Sequence, residues 1–152
     1  MPRCRTSWWR SAGTNVYFDS SALVKLLVVG EADAEIAAEL FRQADRRSTS
    51  MIAYAECRAA VAAAARSRRL KAADARKAVA ALDEVWPAID RLAVSEDIVH
   101  RAGELAERKA LRGFDAIHLA SALALSPDAA LACWDQQLSQ AALAEGLSLA
   151  KP

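Results

Sequence analysis

The sequence predicts an α/β fold: a parallel or mostly parallel sheet with helices on both faces. Three observations carry this. Short β-type runs at 16–18, 50–53, 89–94, 130–134 and 147–150 alternate with helical segments from end to end. The helical segments are either amphipathic or rich in small apolar residues, as covers for a sheet should be. The length of 152 residues suits one domain with a core large enough to need no disulfide or structural metal.

The elements follow in order. VYF, within Asn15–Asp19, is the first strand. Residues 1–15 before it read as a peripheral tail, because Trp8 and Trp9 belong to no periodic pattern; a true start at Val16 is the alternative. Ser20 or Ser21 caps a helix that runs through Val29 and stops at Gly30. Glu31–Arg46 is amphipathic, with Ile36, Leu40 and Phe41 at helical spacing. SMIA at 50–53 reads as a strand, and Tyr54–Ser67 as a small, apolar and therefore buried helix. Lys71–Trp86 is amphipathic and ends near Pro87. Ile89–Val94 is a strand, and Ser95 caps a helix from Glu96 to about Ala110. Phe114–Leu125 is apolar and helical, and Ser126–Asp128 is a turn. ALACW at 130–134, a helix over Gln136–Glu145 and LSLA at 147–150 complete the pattern.

Composition excludes several classes. The hydrophobic share is 54%, but 37 alanines supply nearly half of it, and charged residues make up 26%. That is a folded, soluble profile and not a disordered one. The longest apolar runs, such as AAVAAAA at 59–65, fall far short of a span of about 20 residues, so no membrane role is expected. Three scattered cysteines without a CxxC, and no apolar leader core, suit a reduced cytoplasmic compartment. The net charge of +1 rules out a global basic coat, so a polyanion must be met locally or through cations. Residues 66–77 form a basic run with six cations and one acid, read as a solvated helix end or an RNA-contacting ridge.

Four acids stand apart. Asp19, Glu56, Asp115 and Asp135 are each isolated from other acids and lie in YFDSSAL, IAYAECRAA, GFDAIHLASAL and ACWDQQL. A carboxylate in apolar surroundings is costly unless it is paired or binds a cation. Asp19 and Asp135 close strands, while Glu56 and Asp115 sit in the first turns of helices. Strand C-termini and the following helix N-termini share one edge of a parallel sheet, where open α/β folds place their sites. Taken singly, each acid is a capping or dipole residue as readily as a functional one. Together they suggest oxygen ligands for Mg²⁺ or Mn²⁺ and hydrolysis of a phosphodiester.

These segments resemble the PIN-domain ribonucleases, and specifically the VapC-type toxins of toxin–antitoxin pairs. The matching pieces are VYFDSSALVKLL at 16–27, MIAYAECRAAVAAA at 51–64, LRGFDAIHLASAL at 111–123 and CWDQQLSQAALAEGL at 133–147. DAIHLA after a basic residue is the most specific of them. The resemblance implies a single PIN-like domain over 16–152 with a five-stranded, mainly parallel sheet flanked by helices. It implies an Mg²⁺- or Mn²⁺-dependent endoribonuclease leaving a 3′-hydroxyl and a 5′-phosphate. By motif position Asp19, Glu56, Asp115 and Asp135 carry over as the catalytic acids, with Asp19, Asp115 and Asp135 as the metal set. Ser20 matches the small hydroxyl residue that supports the first Asp. Cys133 stands where the family often has Thr or Ser. The implied partners are RNA, a cognate antitoxin that covers the acids, and a second copy in a homodimer.

Other residues keep a plainer reading. His118, three residues after Asp115, is expected to make a packing contact or a buried hydrogen bond, because a hard oxygen site does not favour imidazole. His100 belongs to a solvated helix face. Arg112 touches RNA phosphate or is a solvated loop arginine. Lys25 is a surface lysine unless it reaches the acids. Trp134 is a core-edge residue unless it stacks a base. No GxSxG elbow or glycine-rich phosphate loop is present. Two rivals remain: a catalytically silent PIN-fold module that binds RNA or an antitoxin, and an aspartyl-phosphate enzyme. The second lacks the expected DxD, since Asp19 is followed by Ser20-Ser21.

Overall fold

The run Asn15–Phe18, with β-branched Val16 and aromatic Tyr17 and Phe18, forms β1, every residue of it buried. The computed structural model describes residues 14–150. From β1 the chain passes through α1 (Ser20–Leu27) and α2 (Ala34–Gln43) to β2 (Arg46–Ser50). It continues through α3 (Ile52–Arg66), α4 (Ala72–Val85) and a 3-10 turn at Trp86–Ala88 to β3 (Asp90–Leu92). Then come α5 (Glu96–Lys109), α6 (Gly113–Ala124), β4 (Ala129–Ala132), α7 (Gln136–Ala144) and β5 (Ser148–Leu149). The five strands lie in the order β3-β2-β1-β4-β5, and every neighbouring pair is parallel.

Period-2 alternation assigns the helices to two layers. Val16 and Phe18 of β1 pack with Leu23, Cys57, Val61, Leu82 and Ile89, under α1 to α4. Tyr17, between them, joins Leu105, Leu119, Leu131 and Leu138, under α5 to α7. The strand order reverses at β1. The chain first builds outward to β2 and β3, then crosses back to β4 on the other side. The C-terminal ends of β1 and β4 therefore flank the switch point, the position at which open α/β sheets form a crevice.

Three expectations are corrected. The second strand is Arg46–Ser50 and not 50–53; its polar RRSTS composition hides it. Two of its three buried hydroxyls are paired: Ser48 donates to Asn15 Oδ1 at 2.8 Å and Thr49 donates to the Phe18 carbonyl at 2.6 Å, while Ser50 Oγ has no partner among the described residues. The helix expected over 31–46 is accordingly shorter. The helix expected to be buried after it, α3, buries only Ala53, Cys57 and Val61. Alanines offer too little apolar area to force the rest of it inward. The tail expected over 1–15 lies outside the described residues up to position 13, while Asn15 is the first residue of β1. The cap expected at Ser95 is present, its side chain accepting from the Ile98 N–H at 3.3 Å.

Candidate functional site

Two of the four acids end central strands and begin helices. Asp19 follows β1 and caps α1, its Oδ1 accepting from the Ala22 N–H at 2.8 Å. Asp135 follows β4 and caps α7, its Oδ1 accepting from the Leu138 N–H at 2.8 Å. Such caps contribute about 1 kcal/mol each. The capping role and a place at the sheet edge thus coincide. The Asp19 N–H donates to the Ala132 carbonyl at 3.2 Å, so the two strand ends are fastened together.

Asp19 is buried, and burial pushes its carboxyl pKa up. Hydrogen bonds from the Ala22 N–H and from the side chains of Cys133 and Ser21 oppose that shift. The support expected from Ser20 comes from Ser21 instead. Ser21 Oγ donates to Asp19 Oδ1 and Oδ2 at 2.7 and 2.9 Å and accepts from the Trp134 N–H at 2.9 Å. Ser20 Oγ points elsewhere, 3.5 Å from His118 Nε2. Cys133 is buried and lies 3.2 Å from the Asp135 N–H and 4.0 Å from Ser21 Oγ. It therefore takes the place between the two acids where a hydroxyl would make a stronger bond.

Asp115 lies in the first turn of α6, where the helix dipole favours a negative charge. Glu56, expected in a first turn, is the fifth residue of α3, because that helix begins at Ile52. Arg112 is exposed and pairs with two of the acids. Its Nε is 2.7 Å from Asp115 Oδ2 and a terminal nitrogen is 3.8 Å from Asp135 Oδ2. The Asp115 hydrogen bond pushes its guanidinium pKa further up. His118 makes the expected buried hydrogen bonds, yet one of them goes to Glu56 at 2.6 Å. Lys25 lines the same cleft, and its amine donates to the Ala32 carbonyl at 2.8 Å. Trp134 packs at the edge of the core under α1 to α4, and His100 is exposed beside Glu96.

Asp19, Ser20, Glu56, Arg112, Asp115 and Asp135 line one cleft of about 670 Å³. All four acids are thus brought together from four separate segments of the chain. Among the described residues no group of three or more His, Cys, Asp or Glu side chains closes to metal-ligating distance. The donor set nonetheless fits a hard cation, being all oxygen. Mg²⁺ in particular keeps most of its waters and needs only one or two carboxylates. No helix among the described residues is long and apolar enough to cross a membrane.

The PIN-domain family model matches residues 16–142 of this chain, from β1 into α7. The chain belongs to the PIN-domain family. Within it, the chain is 41% identical over 136 residues to Ribonuclease VapC45 of Mycobacterium tuberculosis strain CDC 1551 / Oshkosh, covering 89% of this chain and 94% of that protein. Ribonuclease VapC49 of strain H37Rv is similar to the same extent. Among solved structures, M. tuberculosis VapC20 superposes with a TM-score of 0.68 at 20% identity, covering 90% of this chain and 99% of that one. VapBC2 from Rickettsia felis gives 0.62 at 18% identity, covering 90% and 97%. These two show the shared PIN fold.

Two contacts of this PIN domain's site could not be read from the sequence. Ser21 was one of two adjacent serines, and only helix phase decides which of them turns back to Asp19. For His118 the i, i+3 spacing to Asp115 was visible. Its approach to Glu56, 62 positions away, was not.

Proposed function

We propose that this chain is a VapC-type toxin, a metal-dependent endoribonuclease that hydrolyses RNA in the cytoplasm and is neutralised by a cognate antitoxin. The observation that carries the reading is the convergence of four isolated acids on one cleft at the β1/β4 switch point. The relatives' ribonuclease names support it. Asp19 and Asp115 would hold the cation directly, with Asp135 beside them. A bound Mg²⁺ or Mn²⁺ supplies neutralisation of phosphate charge and a lowered pKa for attacking water. Glu56, free to accept through Oε1, would orient an attacking water and take its proton. Arg112, spanning Asp115 and Asp135, offers N–H groups to a phosphate entering the cleft. Ser21 keeps the Asp19 carboxylate aimed. A homodimer and an antitoxin laid over the acidic cleft complete the proposal.

The test is cleavage of total RNA by purified protein across Mg²⁺ and Mn²⁺ titrations. Asp115→Asn should lower the rate at least about 10²-fold, since charge neutralisation and nucleophile supply are both weakened. Added Mn²⁺ should recover part of that loss. Asp128→Asn, in the exposed turn before β4, should cut like the wild type. Equal activity of wild type and Asp115→Asn at every metal concentration would remove Asp115 from the site. Growth arrest without cleavage would instead favour a silent binding module.

A further inference from the structure

Behind the acids runs a buried chain of polar groups. Tyr17 on β1 and His118 on α6 are both essentially inaccessible, at 0% and 1% exposure. The Tyr17 hydroxyl lies 2.8 Å from His118 Nδ1, and His118 Nε2 lies 2.6 Å from Glu56 Oε2. The Tyr17 ring meets the imidazole edge-on at 5.9 Å and 74°, so the imidazole plane is held as well as its nitrogens. Among the described residues Glu56 Oε1 has no partner, and Glu56 lines the cleft.

We propose that His118 is a positioning residue for Glu56, locked by Tyr17 in the tautomer that carries its proton on Nε2. This rests on the nuclease reading for what Glu56 then does. A carboxylate can only accept, so the 2.6 Å contact requires the hydrogen on Nε2. A phenol carries its proton at neutral pH, and the buried Tyr17 hydroxyl lies within donating distance of Nδ1. One direction of donation then runs through the whole chain: Tyr17 to His118 to Glu56. It ends by anchoring one Glu56 oxygen and leaving the other turned to the cleft.

The anchor matters because of where Glu56 sits. The surrounding stretch of α3 is largely solvent-facing, so packing alone does not restrain a side chain with three rotatable bonds. The strand and helix N-termini that fix Asp19, Asp115 and Asp135 have no counterpart there. His118 reaches across from α6, one turn beyond Asp115, and so sets Glu56 and Asp115 from a single rigid helix. Misplacing a reacting group by about 1 Å can cost 10²-fold in rate.

Two measurements decide it. In metal-free, ¹⁵N-labelled wild-type protein, a long-range ¹⁵N–¹H correlation spectrum should show His118 as the neutral Nε2–H form. Tyr17→Phe should shift that resonance toward a mixture. In RNA cleavage, His118→Leu should lower kcat by about 10- to 10²-fold with KM little changed. His118→Gln retains an N–H that can reach Glu56 and should recover most of the loss. Each variant is assayed below its own melting temperature, so that unfolding does not count as lost chemistry. A Nδ1–H tautomer, wild-type kcat in His118→Leu, or Gln performing no better than Leu would overturn the proposal. The spectrum needs no RNA, so it judges the proposal separately from whether the protein is a nuclease.

Discussion

Helices α3 and α6 look alike in sequence and behave differently in the fold. Both are alanine-rich, both carry one acid of the cleft, and both read as buried. Only α6 is: seven of the eight residues from Ala116 to Leu123 are buried, the exception being Ile117, and Leu119 and Leu123 fill the core beneath β1 and β4. In α3 a single stripe of Ala53, Cys57 and Val61 is buried, while Ala55, Ala59, Ala60 and Ala62 face outward. The difference lies in the large residues. α6 interleaves Ile and Leu with its alanines, and each buried side chain of that size is worth about 1.5–3 kcal/mol. α3 has few to offer, so it packs along one stripe against α1 and α4 and leaves a small-residue wall facing the cleft. Alanine content reports helix propensity; it does not report depth.

The contrast can be broken by putting the same change in both helices. The largest effect is expected for Ala120→Gln in α6, a fully buried site. Overpacking and an unpaired amide together should cost about 2–6 kcal/mol, read from chemical denaturation. A tolerated Ala120→Gln would mean that α6 is not the rigid half of the site. Next comes Val61→Ala, the main anchor of α3. Two buried methyl groups at about 0.8 kcal/mol each set a loss of about 1.6 kcal/mol before any cavity contribution. A loss below about 0.5 kcal/mol would show that α3 is held by its ends and by Glu56, not by its stripe. The smallest effect belongs to Ala62→Gln, on the exposed face of α3. Stability should move by no more than about 0.5 kcal/mol. The melting temperatures of Ala62→Gln and Ala120→Gln, measured side by side, give the comparison directly.

What was legible follows the same divide. Strands β1 and β4 declared themselves through hydrophobic side chains, and the alternating order of elements was enough to place the sheet. β2 did not, because its RRSTS run is polar and the buried hydroxyls of Ser48 and Thr49 are paired by contacts that no local pattern records. Asp19, Glu56, Asp115 and Asp135 could be singled out because isolation in apolar segments is a local property. The roles of Ser21, His118 and Arg112 were not legible, since each depends on which atom a side chain reaches across the fold. Arg112 is the plainest case: the loop position was known, but not that it spans Asp115 and Asp135.

The fastening of β1 to β4 has a bearing on how the protein is made. The Asp19 N–H finds the Ala132 carbonyl, and Ser21 accepts from Trp134, 113 positions later. A ribosome emits Asp19 and Glu56 well before the segment that closes the cleft exists. The set of four acids is complete only when β4 lies beside β1, so catalytic competence would arrive after β4 has been made. For a protein proposed to cut RNA, that ordering keeps a half-made nuclease away from the RNA machine still producing it.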